Sequence, residues 1–173
     1  MASFDFYNDL ANSYDELYKE EQFRKYYFVK EYIGKQILDL GCGTGLFLEF
    51  LIENKIKFEK YVGIDLSKKL INIAKKKHKT MKNVEFILAD ATSFDYSKLN
   101  VNFDTIVSFT ALHNMNSITF LTSFNFKEAV FILTLLKKSK RFDEYKNFLK
   151  NNFKIMKEID DYHDLILILK RGL

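Results

Sequence analysis

The hydrophobic positions of this chain alternate between short apolar runs and longer amphipathic stretches, which is typical of an α/β protein. The apolar runs predict five strands, at residues 36–40, 60–64, 84–89, 103–109 and 129–135. Helical periodicity predicts two consecutive helices within residues 4–33 and single helices at 46–54, 68–79 and 141–151. Two last strands, 154–159 and 164–169, are expected to form an antiparallel pair.

Length and composition narrow the class of protein. The 173 residues are 47% hydrophobic and 29% charged, as in a globular protein, and we expect one domain over residues 1–173. No apolar run approaches the roughly 18–20 residues that cross a bilayer. Acidic residues near the N-terminus argue against a secretory signal, so we expect a cytoplasmic protein without a membrane segment. The single cysteine, Cys42, excludes an internal disulfide and a cysteine-rich metal site, and no metal is predicted.

A glycine-rich loop follows the first predicted strand in the segment ILDLGCGTG, residues 37–45. Glycine permits positive φ and a close approach of a ligand to the backbone, and the helix after the loop presents the positive end of its dipole. Gly41 and Gly43 would begin a dinucleotide fingerprint, but that motif needs glycine at position 46, where this chain has leucine. No Gly-Lys-Ser/Thr follows, so a P-loop is excluded as well.

Carboxylates lie at the ends of the first three predicted strands, namely Asp39, Asp65 and Asp90. A carboxylate can accept hydrogen bonds from both hydroxyls of a ribose, which indicates a nucleoside ligand at the second strand. Taken singly, Asp65 is equally typical of a helix start and Asp90 of a turn. Their occurrence at three successive strand ends favours one shared ligand.

The segment ILDLGCGTG resembles motif I of class I S-adenosylmethionine-dependent methyltransferases, of the type 11 and type 25 groups, and the short chain resembles small archaeal members. The resemblance extends over residues 10–170. It implies S-adenosyl-L-methionine as cofactor and a Rossmann-like fold, with a mostly parallel seven-stranded sheet that ends in an antiparallel C-terminal hairpin. It also implies an N-terminal helical lid over residues 1–33 on a core of residues 34–173.

The resemblance assigns cofactor contacts to particular residues. The loop backbone is expected to support the methionine part of the cofactor, through Gly41, Cys42, Gly43 and Gly45. Asp39 is expected to reach the methionine amino group, Asp65 the ribose, and Leu66 the adenine ring. Asp90 and the backbone N–H of Ala91 are expected to pair with the edge of the adenine.

Residues outside the glycine loop complete the implied site. Thr110, His113 and Asn114 follow the fourth strand, where the family places residues that face the methyl donor or the substrate. Thr110 is assigned to the cofactor. His113 is the candidate general base, because an imidazole titrates near neutral pH, or it only lines the pocket. Tyr14 in the lid is expected either to close over the cofactor or to pack as a core tyrosine.

The methyl acceptor is less clear from the sequence. An Asn-Pro-Pro-Tyr motif is absent after the fourth strand, which argues against the N-methylation scheme that uses it. The mildly basic charge, net +4, permits a polyanionic partner. The lysines of 68–79 and 137–141 either contact phosphates or form solvated faces. The chain has no insertion between the fifth strand and the last pair that could build a substrate lid, and a shallow, open site suits a macromolecular substrate. We therefore predict RNA or protein as acceptor, with a small molecule as the next alternative. A non-catalytic scaffold subunit is the alternative from another class, and a small activator subunit is a further expected partner.

Overall fold

The computed structural model describes residues 14–172, with side chains from residue 18 onward. Its helices are α1 (Tyr14–Val29), α2 (Leu46–Glu53), α3 (Lys68–Lys77) and α4 (Phe142–Asn152). Its strands are β1 (Gln36–Leu40), β2 (Lys60–Asp65), β3 (Val84–Leu88), β4 (Thr105–Ser108), β5 (Val130–Leu136), β6 (Phe153–Asp160) and β7 (Asp164–Arg171). Single turns of 3-10 helix lie in the connections, at Lys30–Tyr32, Tyr96–Leu99, Leu112–Asn114 and Thr119–Ser123.

The strands form a seven-stranded sheet in the order β3-β2-β1-β4-β5-β7-β6. The first five of these strands are parallel, whereas β7 runs antiparallel to both β5 and β6. The predicted mixed sheet with its C-terminal hairpin is confirmed. Since parallel strands end at one edge, the residues that follow β1, β2, β3 and β4 meet there, where ligands bind in open α/β sheets.

Each face of the sheet is covered by a separate apolar layer. Leu38 and Leu40 of β1 point into a core that includes the 3-10 turns and α4, while Ile37 points into a core that includes α1, α2 and α3. Burial on both faces explains why the central strands read as continuous apolar runs. Asp39 lies on the same face as Ile37, because side chains two apart share a face, and this directs its carboxylate toward α1 and α2.

The helix boundaries largely follow local signals. Ser67 caps α3, with its hydroxyl accepting a hydrogen bond from the N–H of Leu70 at 3.3 Å. The expectation of two helices before the first strand is wrong for the described part, because one helix, α1, includes both Tyr18 of the first expected helix and Tyr27 of the second. Its predicted beginning, residues 4–13, lies outside the described residues.

Strand β4 is shorter than predicted because the backbone changes conformation soon after it. Thr110 has φ +53°, a left-handed conformation that a β-branched residue rarely adopts. The hairpin strands are longer than predicted, with a register irregularity between Ile155 and Lys157. These differences affect strand ends and leave the order of elements as expected.

Candidate functional site

The glycine loop between β1 and α2 is held by the sheet in a ligand-accepting conformation. Gly41, Gly43 and Gly45 all have positive φ, at 78°, 55° and 81°. The N–H groups of Gly41 and Cys42 both donate to the carbonyl of Ile64, at 2.8 and 3.1 Å. A Cβ on Gly43 would meet no atom within 4 Å, whereas one on Gly41 would lie 2.3 Å from the Cβ of Ala111. Space for a ligand therefore opens at Gly43.

Asp39 lies beneath this loop and is buried. Its carboxylate accepts a hydrogen bond from the Tyr61 hydroxyl at 2.5 Å. Burial raises the pKa of Asp39 to about 7, while the Tyr61 hydrogen bond acts in the opposite direction and the nearby charge of Asp65 adds to the rise. A cationic group of a ligand next to Asp39 would favour its charged form.

A narrow cleft of about 30 Å³ runs between the loop and α1. Its walls are formed by Gln22, Tyr26, Asp39, Gly41, Cys42, Gly43, Thr44, Leu46, Phe47 and Phe109. The ring of Tyr26 packs against Phe109 and Phe47, with centroids 4.6 and 5.0 Å apart. One end of the cleft thus holds the carboxyl group of Asp39, and the other is aromatic.

Gln22 and Tyr26 are site residues that the sequence reasoning missed. They are four positions apart on α1, so they share one helix face, and both are buried. A buried glutamine one turn before a buried tyrosine is a weak signal, and it identifies a site only when the orientation of α1 is known. Tyr14, the residue predicted to close the site, begins α1, but its side chain lies outside the described residues.

Asp65 joins the end of β2 to the glycine loop. One carboxylate oxygen accepts from the N–H of Gly43 at 2.9 Å, and the other accepts from the N–H of Ser67 at 2.8 Å. Burial raises the pKa of Asp65, and these backbone hydrogen bonds oppose the rise. Each carboxylate oxygen has a second lone pair, so Asp65 can still accept from a ligand. Leu66 beside it is 55% exposed, an apolar surface suited to a flat ring.

The third acid, Asp90, follows β3 and is exposed. One of its oxygens accepts from both the N–H and the hydroxyl of Thr92, each at 2.8 Å. Ala91 is buried, and its carbonyl accepts from the Tyr96 hydroxyl at 2.6 Å. Asp39, Asp65 and Asp90 thus lie at or near the ends of three adjacent strands, β1, β2 and β3.

The remaining loop residues contribute mainly through packing. Cys42 is buried, and its Sγ lies where a side chain at Gly63 would stand, 2.8 Å from that ideal Cβ. Burial raises the pKa of the Cys42 thiol well above its usual range, so the thiol is neutral. A Cβ added at Gly45 would lie 3.1 Å from Phe86, so close packing favours glycine at this position.

The segment after β4 brings Thr110 and His113 to the same edge. The Thr110 N–H donates to the Thr134 hydroxyl at 2.6 Å, and its own hydroxyl accepts from Gln22 and Lys25, both at 3.1 Å. Strained conformations of this kind cluster at functional sites. His113 is half-buried, and burial lowers its pKa. Neither Thr110 nor His113 borders the cleft among the described residues, while Asn114 is exposed.

Residues 37–125 match the family model described as a methyltransferase domain. The chain belongs to this family. Its sequence is 35% identical over 167 residues to an uncharacterised protein of Methanocaldococcus jannaschii, covering 91% of this chain and 61% of that protein. It is 30% identical over 110 residues to the demethylmenaquinone methyltransferase of Lactococcus lactis, covering 58% of this chain and 44% of that enzyme. The chain thus spans about three fifths of the first relative and less than half of the second.

Solved structures show the same fold for this methyltransferase domain. A S-adenosylmethionine-dependent methyltransferase from Aquifex aeolicus superposes with a TM-score of 0.73 at 17% identity, covering 94% of this chain and 97% of that one. A TehB-like S-adenosylmethionine-dependent methyltransferase from Corynebacterium glutamicum superposes with a TM-score of 0.70 at 13% identity, covering 94% and 98%. The predicted Rossmann-like methyltransferase fold is confirmed.

S-adenosylmethionine is the methyl donor that the family implies, and the residues of this methyltransferase domain fit it. The open space at Gly43, the buried carboxylate of Asp39 and the remaining lone pairs of Asp65 match a backbone contact, an ammonium group and a ribose. Within residues 14–172, no three His, Cys, Asp or Glu side chains are grouped to hold a metal ion. No helix in that range is long and apolar enough to cross a bilayer.

Proposed function

We propose that this domain transfers a methyl group from S-adenosylmethionine to a small organic acceptor. The observation that carries the donor assignment is the row of Asp39, Asp65 and Asp90 at the ends of three adjacent strands, beside the open space at Gly43. A site without a nucleoside ligand has no chemical need for this combination.

Each donor residue has a task that follows from its surroundings. When bound, S-adenosylmethionine supplies an electrophilic methyl carbon on a positively charged sulfur. Asp39 offers its carboxylate to the ammonium group, and Asp65 offers two acceptor oxygens to the ribose hydroxyls. Tyr26 excludes water from the aromatic end of the cleft. Holding donor and acceptor in a reactive orientation supplies several kcal/mol of catalysis.

A small acceptor is favoured over RNA because most of the basic residues of the two segments lie away from the site or are paired. Lys68 and Lys69 begin α3 beside the site, whereas Lys75, Lys76 and Lys77 occupy the last turn of this helix. In the 137–141 segment, Lys137 pairs with Asp160 and Arg141 donates to the carbonyl of Asn116. The relatives include proteins named as quinone-biosynthesis methyltransferases, which supports a small-molecule acceptor.

The donor proposal is tested by calorimetry with S-adenosylmethionine. Asp65→Asn replaces one of the two acceptor oxygens and should weaken binding about 10- to 100-fold, since a hydrogen bond to a charged group contributes about 1.5–3 kcal/mol. The matched control is Asp95→Asn, because Asp95 also accepts the N–H two residues on, from Ser97, but is exposed and makes no hydrogen bond to the glycine loop among the described residues. Equal affinity of the wild type and Asp65→Asn would contradict the ribose assignment.

The acceptor class is tested by transfer of labelled methyl to separated metabolite, RNA and protein pools from the source organism. Label in the metabolite pool supports the proposal, and label confined to RNA or protein overturns the small-acceptor assignment. Binding of S-adenosylmethionine without labelling of any pool, with or without copurifying proteins, would favour the scaffold alternative.

A further inference from the structure

A buried polar cluster connects three distant parts of the chain beside the end of β4. Lys25 of α1 is fully buried, and its Nζ lies 2.5 Å from Asp164 at the start of β7 and 2.8 Å from Glu21. The same Nζ donates to the hydroxyl of Thr110 at 3.1 Å. Because an ammonium group has three N–H bonds and Lys25 faces three oxygens, it has no donor left for a ligand. The role of this Lys25 cluster is to position its neighbours.

Thr110 connects the Lys25 cluster to the wall of the cleft. Its hydroxyl accepts one hydrogen bond from Lys25 and a second from the side-chain amide of Gln22, both at 3.1 Å. Its backbone N–H donates to the Thr134 hydroxyl at 2.6 Å. A φ of +53° is rare for a β-branched residue, so these surrounding contacts must hold Thr110 in place. The position of the Gln22 amide is fixed with it.

Gln22 has hydrogen-bonding capacity left for a ligand. It is buried and borders the same cleft as Asp39. Its amide nitrogen carries two N–H bonds, and in the described part of the chain Thr110 accepts one of them. Buried polar groups normally have all their partners, so a spare donor at the wall of a cleft indicates a ligand acceptor opposite it.

The glycine loop offers few backbone donors of its own to the carboxylate of S-adenosylmethionine. Four of its N–H groups already donate to oxygens of the protein 2.8–3.1 Å away, namely those of Gly41, Cys42, Gly43 and Gly45. Among the described residues that border the cleft, none is lysine or arginine. The first turn of α2 has no side-chain cap, and its residues Leu46 and Phe47 border the cleft. The donors for a carboxylate are therefore Gln22 and the N-terminal end of α2.

We propose that Gln22 donates a hydrogen bond to the carboxylate of S-adenosylmethionine, and that Thr110 of the Lys25 cluster orients its amide. Asp39 and Gln22 then receive the two opposite charges of the methionine end, the ammonium and the carboxylate. The cleft therefore selects a donor that keeps its carboxylate over one that has lost it. This inference rests on the proposed use of S-adenosylmethionine and adds to it a selectivity residue on α1, outside the glycine loop.

The role of Gln22 is tested by calorimetry with S-adenosylmethionine and decarboxylated S-adenosylmethionine, which keeps the adenosine, the sulfonium and the ammonium group. The wild type should bind S-adenosylmethionine about 10- to 100-fold more tightly, the effect of a hydrogen bond to a charged group. Gln22→Met should remove most of this preference by weakening S-adenosylmethionine, while the affinity for the decarboxylated probe changes by no more than about threefold. Gln36→Met is the control, because the Gln36 amide donates to Glu59 at the beginning of β1, away from the loop, and it should change neither affinity.

Each outcome of this measurement decides a different point. A wild type that binds the two probes equally would overturn the proposal whether or not the variants fold. A preference that survives in Gln22→Met would assign the carboxylate to α2 alone and remove Gln22 from the site. Equal weakening of both probes in Gln22→Met would make Gln22 a structural residue. A wild type that binds neither probe would instead overturn S-adenosylmethionine as the methyl donor.

The positioning role of Thr110 is tested with the same two probes in Thr110→Ala and Thr110→Ser. Thr110→Ala removes the hydroxyl that holds the amide of Gln22 and should lower the preference for S-adenosylmethionine by about 2- to 10-fold, the effect of a neutral hydrogen bond. Thr110→Ser keeps the hydroxyl and should retain the preference of the wild type. If Thr110→Ala weakens both probes equally, or if Thr110→Ser loses the preference as Thr110→Ala does, Thr110 does not orient Gln22.

Discussion

The donor half of this site and the buried polar cluster around Lys25 are built in different ways. In the donor half, each carboxylate stands at or near the end of its own strand and is fixed by nearby backbone, as Asp65 is fixed by Gly43 and Ser67. In the Lys25 cluster, the polar groups come from α1, the end of β4 and the start of β7. Lys25, Thr110 and Asp164 are far apart in sequence, and buried side chains hold them together.

This difference has an energetic consequence. Hydrogen bonds from backbone to a strand-end carboxylate persist as long as the sheet does. A buried ion pair instead depends on both partners, since an unpaired charge in the interior is costly. We therefore expect the Lys25 cluster to be the more fragile of the two, and three measurements can break or sharpen that contrast.

The largest effect is expected for Lys25→Met. This substitution leaves the carboxylate of Asp164 buried without its counter-charge and should lower the free energy of unfolding by about 3–5 kcal/mol, as measured in urea. The control Lys35→Met removes an exposed pair with Glu59, 3.1 Å apart, and should cost less than about 1 kcal/mol. A loss for Lys25→Met no larger than for Lys35→Met would show that the two regions do not differ in this way.

The donor half could be predicted from sequence because its geometry is local. An apolar run that ends in an acid or a glycine places that residue at the strand end, and the parallel sheet then brings the ends together. Gly41, Gly43, Asp39, Asp65 and Asp90 lie where the motif places them. Their individual contacts with the cofactor stay predictions.

The Lys25 cluster could not be predicted because nothing local indicates which distant groups meet. Lys25 looks like any lysine of an amphipathic helix, and Asp164 like a residue at a hairpin turn. That both are fully buried depends on how α1 packs across the sheet. Gln22 and Tyr26 were missed for the same reason. The macromolecular acceptor was predicted from the lack of a lid-forming insertion, and the sequence does not show how α1 packs over the site.

A smaller effect is expected from pH, through Asp39 in the donor half. Its pKa of about 7 lies above the ordinary 3.8, so the folded free protein holds a proton that the unfolded chain releases in this range. Unfolding free energy should thus fall as pH rises from about 4 to about 7. An ammonium ligand needs the charged carboxylate, so affinity for S-adenosylmethionine should rise with pH below about 7, by up to about tenfold per pH unit.

Calorimetry in buffers of different ionisation enthalpy measures the proton that Asp39 releases on binding. Asp39→Asn should abolish that release and flatten the pH dependence, while Asp95→Asn should leave both unchanged. Proton release that survives in Asp39→Asn would assign the titration to another group and remove the ammonium contact from the donor half.

The smallest effect is expected for Leu66→Ser. Leu66 is 55% exposed, so its replacement should hardly change the free energy of unfolding. If the adenine covers it, the lost apolar contact should weaken S-adenosylmethionine about fivefold, corresponding to about 1 kcal/mol of buried side chain. Ile52→Ser is the matched control, because Ile52 is 44% exposed but lies in the last turn of α2, at the end opposite the glycine loop. Equal affinities of the two variants would show that Leu66 does not contact the donor. A loss of affinity confined to Leu66→Ser would show that the donor site includes an apolar contact with the adenine.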